Sequence, residues 1–137
     1  MTNAIFEICC ERNPDATAQR TRLLKALQQG ANIHATNKNG VTALHHAVRF
    51  RSPVAVQTLI EHGANVNQPC RKTGSTPLHR AVVQTGAPGT AGKSEQAKEI
   101  VRLLLAAGAS PSIRNKLGKR PTDYATDRSL KLLLQQD

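Results

Sequence analysis

Gly40-Val41-Thr42-Ala43-Leu44-His45-His46-Ala47 decides the reading of this chain, because its pattern returns twice. Gly74-Ser75-Thr76-Pro77-Leu78-His79-Arg80-Ala81 repeats it closely, and Gly118-Lys119-Arg120-Pro121-Thr122-Asp123-Tyr124-Ala125 repeats it in worn form. A second pattern alternates with the first: Gly30-Ala31-Asn32-Ile33-His34, Gly63-Ala64-Asn65-Val66-Asn67 and Gly108-Ala109-Ser110-Pro111-Ser112. Gly30 and Gly63 lie 33 residues apart, and Gly40 and Gly74 lie 34 apart. A fixed period of this length means stacked supersecondary units, each covering the apolar face of its neighbour.

Between these markers the chain reads as helices. Ile5 to Cys10 is a short apolar helix ended by the turn signal Asn13-Pro14-Asp15. The next runs from about Ala16 to Gln29, with Asp15 or Thr17 as N-cap and Gly30 as the left-handed stop. Thr42 caps a helix ending near Phe50, and Arg51-Ser52-Pro53 breaks it. Pro53 suits the first turn of a helix from Val54 to His62. A helix from Thr76 to about Gln84 is followed by Thr85–Gln96, rich in Gly and small residues, which reads as an inserted loop. The helix Ala97–Ala107 comes next, with Glu99 and Arg102 at the spacing of a surface ion pair. Pro121 opens another helix, and Asp127 caps a last one through Leu130, Leu132, Leu133 and Leu134.

The period and the motif G-x-T-P-L-H-x-A resemble the ankyrin repeat, a turn followed by two helices. The resemblance spans almost the whole chain. It implies an all-α repeat solenoid of about four repeats, two of them atypical caps. The units are a cap at 1–36, repeats at 37–70 and 71–114, the latter carrying the insertion 85–96, and a cap at 115–137. In ankyrin repeats the His of T-P-L-H bonds neighbouring backbone and holds the turn, the role this implies for His45 and His79. Asp123 stands where the family has that His, and Thr122 where it has Leu. Asn67 sits in a context resembling ankyrin hairpins that are hydroxylated in animal cells; its plainer role is to close the hairpin.

The family binds protein partners through its hairpin tips and the exposed sides of its inner helices. Carried over by register, the tips present Lys38, Asn39 and Val41, then Lys72, Thr73 and Ser75, then Lys116, Leu117 and Lys119. The ends of the inner helices add Arg49, Phe50 and Gln84. Successive tips are expected about 10 Å apart, the distance between stacked helix layers. Phe50, flanked by Arg49 and Arg51, has the make-up of a binding anchor; the alternative is local packing over the adjacent loop.

Charge narrows the partner. Nineteen Lys and Arg face nine Asp and Glu, a net charge of +10, and Glu61 is the only acid between Gln28 and Arg80. This favours an acidic protein surface and faster encounter with it. Nucleic acid or another polyanion is the alternative, reached by counterion release. Against it stands an aromatic content of 2%, from Phe6, Phe50 and Tyr124, which leaves little to stack on bases.

Other chemistries find little support. Ala87-Pro88-Gly89-Thr90-Ala91-Gly92-Lys93-Ser94 fits a relaxed phosphate-loop pattern, but that motif must follow a strand, and the T-P-L-H signature puts a helix there. It reads as a Gly-rich insertion; a lesser reading has it and the next helix start catch an anion. His45 and His46 are adjacent, point about 100° apart on a helix and make a poor metal pair. Cys9, Cys10 and Cys70 lack metal-ligand spacing, and Cys9 and Cys10 fall in an apolar run as packing groups. The acids are scattered and no nucleophile arrangement appears, so neither catalysis nor a cofactor is expected. No signal peptide and no run of roughly 20 apolar residues appear. A monomeric, soluble, intracellular and cytoplasmic protein without membrane insertion is expected.

Overall fold

A computed structural model describes residues 4–11, 15–85, 94–125 and 128–135. They form α1 (Ala4–Cys9), α2 (Ala16–Gln28), α3 (Ala43–Arg49), α4 (Pro53–Glu61), α5 (Pro77–Thr85), α6 (Ser94–Ala106), α7 (Pro121–Tyr124) and α8 (Arg128–Leu134). No strand occurs among the described residues. The expected all-α repeat solenoid is the observed architecture.

Local chemistry sets the helix ends. Asp15 caps α2 by accepting from the Ala18 amide at 3.1 Å, a choice the sequence left open between Asp15 and Thr17. Thr42 caps α3, and His45 closes the capping box from three residues on, where Glu or Gln usually serves. Pro53 opens α4, where its missing N–H costs nothing. Arg51, in the break before it, adopts φ +55, a conformation usually left to glycine.

The helices pair as α1–α2, α3–α4, α5–α6 and α7–α8, and the pairs stack in register. Inner helices α1, α3, α5 and α7 pack on one another in sequence, as do outer helices α2, α4, α6 and α8. One apolar core runs through the stack. Leu23, Leu44, Leu59, Leu78, Ile100, Leu104 and Leu130 are fully buried in it, each stabilising the fold by about 2 kcal/mol. Cys9 lies in the same core, where burial pushes its thiol up to about 12 and leaves it an inert packing group.

Polar contacts lock one repeat to the next. The Thr42 amide donates to Nδ1 of His45 at 3.2 Å, so that nitrogen is the acceptor and Nε2 carries the proton. Nε2–H then reaches the Ser75 carbonyl in the following repeat at 3.2 Å. His79 repeats the arrangement, with the Thr76 amide on Nδ1 at 3.1 Å and Nε2–H on the Lys119 carbonyl at 2.8 Å. Asp123 takes over only the acceptor half, receiving the Arg120 amide at 2.7 Å. Asn67 spans repeats on the opposite side, donating to the Gly108 carbonyl and accepting from the Ser110 amide at 2.8 Å. The Asn67 side chain, expected to close its own hairpin, instead bonds to the next unit, and within its own turn it is the Asn65 side chain that receives the Asn67 amide.

Two details differ from the sequence reading. The outer helix α6 begins at Ser94, three residues before Ala97, taking in Ser-Glu-Gln with Glu95 favourably placed in its first turn. An ion pair joins Lys98 and Glu95 at 3.7 Å, and among the described residues none joins the expected Glu99 and Arg102. Residues 86–93 of the insertion, including most of the phosphate-loop-like stretch, lie outside the described residues, and the segment leading into them is helix α5. Asp127, the expected cap of α8, lies outside them too.

His45 makes stability depend on pH. Burial, opposed by the bond to Ser75, lowers its pKa from 6.5 to about 4. Its neutral form is thus kept in the fold while the unfolded chain takes up a proton below about pH 6.5. Stability is fully present above that value and falls by about 3 kcal/mol as pH drops through about 4. We expect melting temperatures that are flat near neutrality and decline from about pH 6.5 downward. Circular dichroism of wild type beside His45→Gln checks this, the variant being less stable at neutral pH and losing less on acidification.

Candidate functional site

The hairpin tips between outer and inner helices form a continuous ladder. In the first tip, the Asn37 side chain accepts from the amides of Asn39 and Val41 at 2.9 and 3.1 Å. Asn115 does the same for Leu117 and Lys119 in the third, at 3.0 and 3.1 Å. The middle tip has Cys70 at this place, and there the Thr73 hydroxyl receives the Ser75 amide at 3.3 Å. Cys70 sulfur lies 3.0 Å from that hydroxyl. Burial disfavours the Cys70 thiolate, but hydrogen bonds from Thr73, Ser75 and Arg80 outweigh it and bring its pKa down to about 7.

Backbone bonds join tip to tip. The Arg71 amide donates to the Asn39 carbonyl at 2.7 Å, and the Lys116 amide donates to the Thr73 carbonyl at 2.9 Å. Gly40 makes this approach possible: its φ is +73, and a Cβ there would stand 2.7 Å from the Arg71 nitrogen.

The residues expected at the binding face divide into four groups. Lys38, Lys72 and Lys119 are exposed, and their ammonium groups enter no hydrogen bond or ion pair among the described residues. Lys116 instead turns its ammonium onto the Arg71 carbonyl and staples adjacent tips, while Asn39, Thr73 and Ser75 are engaged in the ladder. Leu117 is 78% exposed at the last tip, an apolar group between two lysines. Val41 needs correction. It is only 5% exposed, held at the start of the inner helix by two bonds to Asn37 (its amide donates to the side chain, its carbonyl accepts from the amide).

Inner-helix residues line the groove behind the tips. Arg49 is exposed at the end of α3, and Phe50, at its C-cap, is half-buried and absent from the apolar groups packed on the core. The Gln84 side chain lies outside the described residues. Arg80 and Val83 of α5 join this face, with Val83 51% exposed. Sequence reading took only helix ends and missed them, although Arg80 directly follows the motif's His and Val83 occupies the register position of Arg49. Stretches 37–53 and 70–85 contain no acid, so the inner side of the central repeats is uniformly basic or neutral.

A family model of ankyrin repeats, in three copies, matches residues 15–115 of this chain. The chain belongs to the ankyrin repeat family. It is 38% identical over 109 residues to Ankyrin repeat and SOCS box protein 11 of Danio rerio, spanning 80% of this chain and 33% of that protein. It is 47% identical over 74 residues to the Neurogenic locus Notch protein of Drosophila melanogaster, spanning 53% of this chain and 3% of that one. The crystal structure of the ankyrin repeat domain of Bcl-3, a member of the IkappaB protein family, superposes with a TM-score of 0.72 at 32% identity, covering 86% of this chain and 47% of that. The chain thus spans a third or less of these two curated relatives. Ankyrin repeats are in general protein–protein interaction modules, typically without catalytic activity. No helix among the described residues is long and apolar enough to cross a membrane.

The tip ladder can be tested by glycine replacement. Gly40→Ala must strain a left-handed residue and displace the Arg71 backbone, so we expect a loss of roughly 2–3 kcal/mol in urea unfolding. Gly30, at φ +94, has open space around its added Cβ, and Gly30→Ala should lose only about 1 kcal/mol. Equal losses would mean that the tips are free to separate.

Proposed function

We propose that this ankyrin array is a binding module that grips an acidic surface of a partner protein with its tips and inner-helix groove, and acts sterically, as adaptor, scaffold or inhibitor. One observation carries the reading. The central tips and inner helices bear Lys38, Arg49, Lys72 and Arg80 and no acid, whereas the ion pairs among the described residues lie elsewhere, at Arg20–Glu61, Arg22–Glu11, Lys98–Glu95 and Arg120–Asp123. Positive charge that meets no counter-charge among the described residues is available to a partner. It speeds encounter and orients docking.

A second reading, a binder of nucleic acid or another polyanion, is favoured by the net charge of +10. The aromatic groups speak against it. Phe6 packs edge-on against His46 with ring centres 5.2 Å apart, and the Tyr124 hydroxyl accepts from Asn115 at 2.9 Å. Phe50, half-buried at the end of α3, does not line the groove. Shape-specific docking of an acidic protein fits a rigid tip ladder better than base stacking does.

The double variant Lys38→Glu/Lys72→Glu reverses charge at two exposed sites without touching a described hydrogen bond of either side chain. We expect melting within about 1 kcal/mol of wild type and loss of partner recovery in crosslinking capture from nuclease-treated native lysate. Recovery that is equal for the variant contradicts the face. Recovery that vanishes with nuclease or modest salt favours the polyanion reading.

A further inference from the structure

Between α3 and α5, behind the middle tip, lies a cavity of about 260 Å³ lined by Arg49, Thr73, Ser75, His79, Arg80 and Val83. Its donors come from three elements. Arg49 enters from the end of α3, Arg80 from the middle of α5, and the two hydroxyls from the tip. No described carboxylate pairs with either guanidinium.

The hydrogen bonds already present fix which donors are left. His79 has both ring nitrogens engaged, with Thr76 and the Lys119 carbonyl, and serves as an uncharged wall. The Thr73 hydroxyl is shared among the Cys70 sulfur, the Ser75 amide and Ser75 Oγ, whereas Ser75 Oγ has only Thr73, at 3.0 Å, as a described side-chain partner and is the hydroxyl able to turn into the cavity. The Arg80 guanidinium lies close enough to the Cys70 sulfur to favour its thiolate, and it enters no ion pair among the described residues. Two positive charges, a hydroxyl donor and one apolar side chain thus share one concave site.

We propose that this cavity receives a phosphorylated side chain carried on a peptide segment of the partner. The inference rests on the protein-binding reading above and names the chemical group its groove recognises. Two considerations select phosphate over a carboxylate. A phosphomonoester carries roughly −1.5 to −2 charges near neutrality, matching two guanidinium groups, whereas a carboxylate leaves one of them unbalanced. Its three terminal oxygens match the two arginines and the Ser75 hydroxyl, with the planar guanidinium fork suited to two oxygens at once. Val83 lies against the methylene or methyl next to the ester oxygen. Lys72, exposed on the adjoining tip, holds further positive charge for acids flanking the modified residue.

The test uses the full chain and the capped pentapeptide Gly-Gly-phosphoserine-Gly-Gly, with serine and glutamate versions and inorganic phosphate as comparison arms. Proton–nitrogen spectra that include arginine side chains report binding. We expect saturable shifts at the Arg49 and Arg80 Nε–H groups and the Thr73 and Ser75 amides with the phosphopeptide. Binding should be at least about fivefold weaker with glutamate and absent with serine, and Arg49→Gln or Arg80→Gln should each weaken it about tenfold. Both variants keep backbone spectra of the folded protein. Equal binding of phosphoserine and glutamate peptides, or shifts confined to the lysine tips, overturns the proposal. Inorganic phosphate bound as tightly as the phosphopeptide overturns its peptide part. None of these results touches the wider binding face, which stands or falls with capture by the Lys38→Glu/Lys72→Glu variant.

Discussion

The imidazole of His45, and again that of His79, is the joint on which the molecule depends. Each accepts a backbone N–H at the start of its own inner helix and donates to a carbonyl in the next tip. One side chain therefore caps a helix, fixes its own tautomer and spaces two repeats. The fold holds these rings neutral by burying them, and their pKa values are lowered chiefly for that reason. Without the joint, the apolar faces of the helices would still attract one another, but apolar packing is non-directional and would leave the tips free to slide. The joint and the tip-to-tip amide bonds convert a stack of helices into a ladder with fixed spacing.

That ladder gives the basic residues their meaning. Lysines on a mobile loop adapt to any anion, whereas Lys38 and Lys72 project from tips tied by the Arg71 amide to the Asn39 carbonyl. Keeping such charges unpaired costs little in water, since exposed ion pairs are themselves worth only about 0–1 kcal/mol. The arrangement is cheap to maintain and specific in shape, as suits a surface that meets an acidic partner. Lys116 and Arg71 show that not every cation on this side faces outward; both side chains reach back to carbonyls of the neighbouring tip.

Most of the fold was legible in the sequence because the repeat writes each constraint several times. Thr-x-x-His announced the capping joint, and glycines marked helix ends and tips. Elsewhere the signal was weaker. Val41 looked like a tip residue by register, and only its burial in the folded chain shows that its side chain is turned inward. Arg80 was overlooked since it follows the structural His within a motif read as scaffold, yet on a helix the next residue faces about 100° away and here reaches the groove. The start of α6 was misjudged by three residues because Ser-Glu-Gln suits a helix's first turn as well as a polar loop.

The account rests most heavily on the joint, and nitrogen NMR of the histidine side chains examines it directly. Both His45 and His79 should show the tautomer protonated at Nε2, with an unprotonated Nδ1 accepting a bond, and His45 should stay neutral on acidification until about pH 4. Rings protonated at Nδ1, or a His45 that titrates near the ordinary value of 6.5 in the folded protein, would contradict it. The repeats would then be held by apolar contact and the tip-to-tip bonds without the joint, and the fixed spacing of the basic tips would lose one of its two causes.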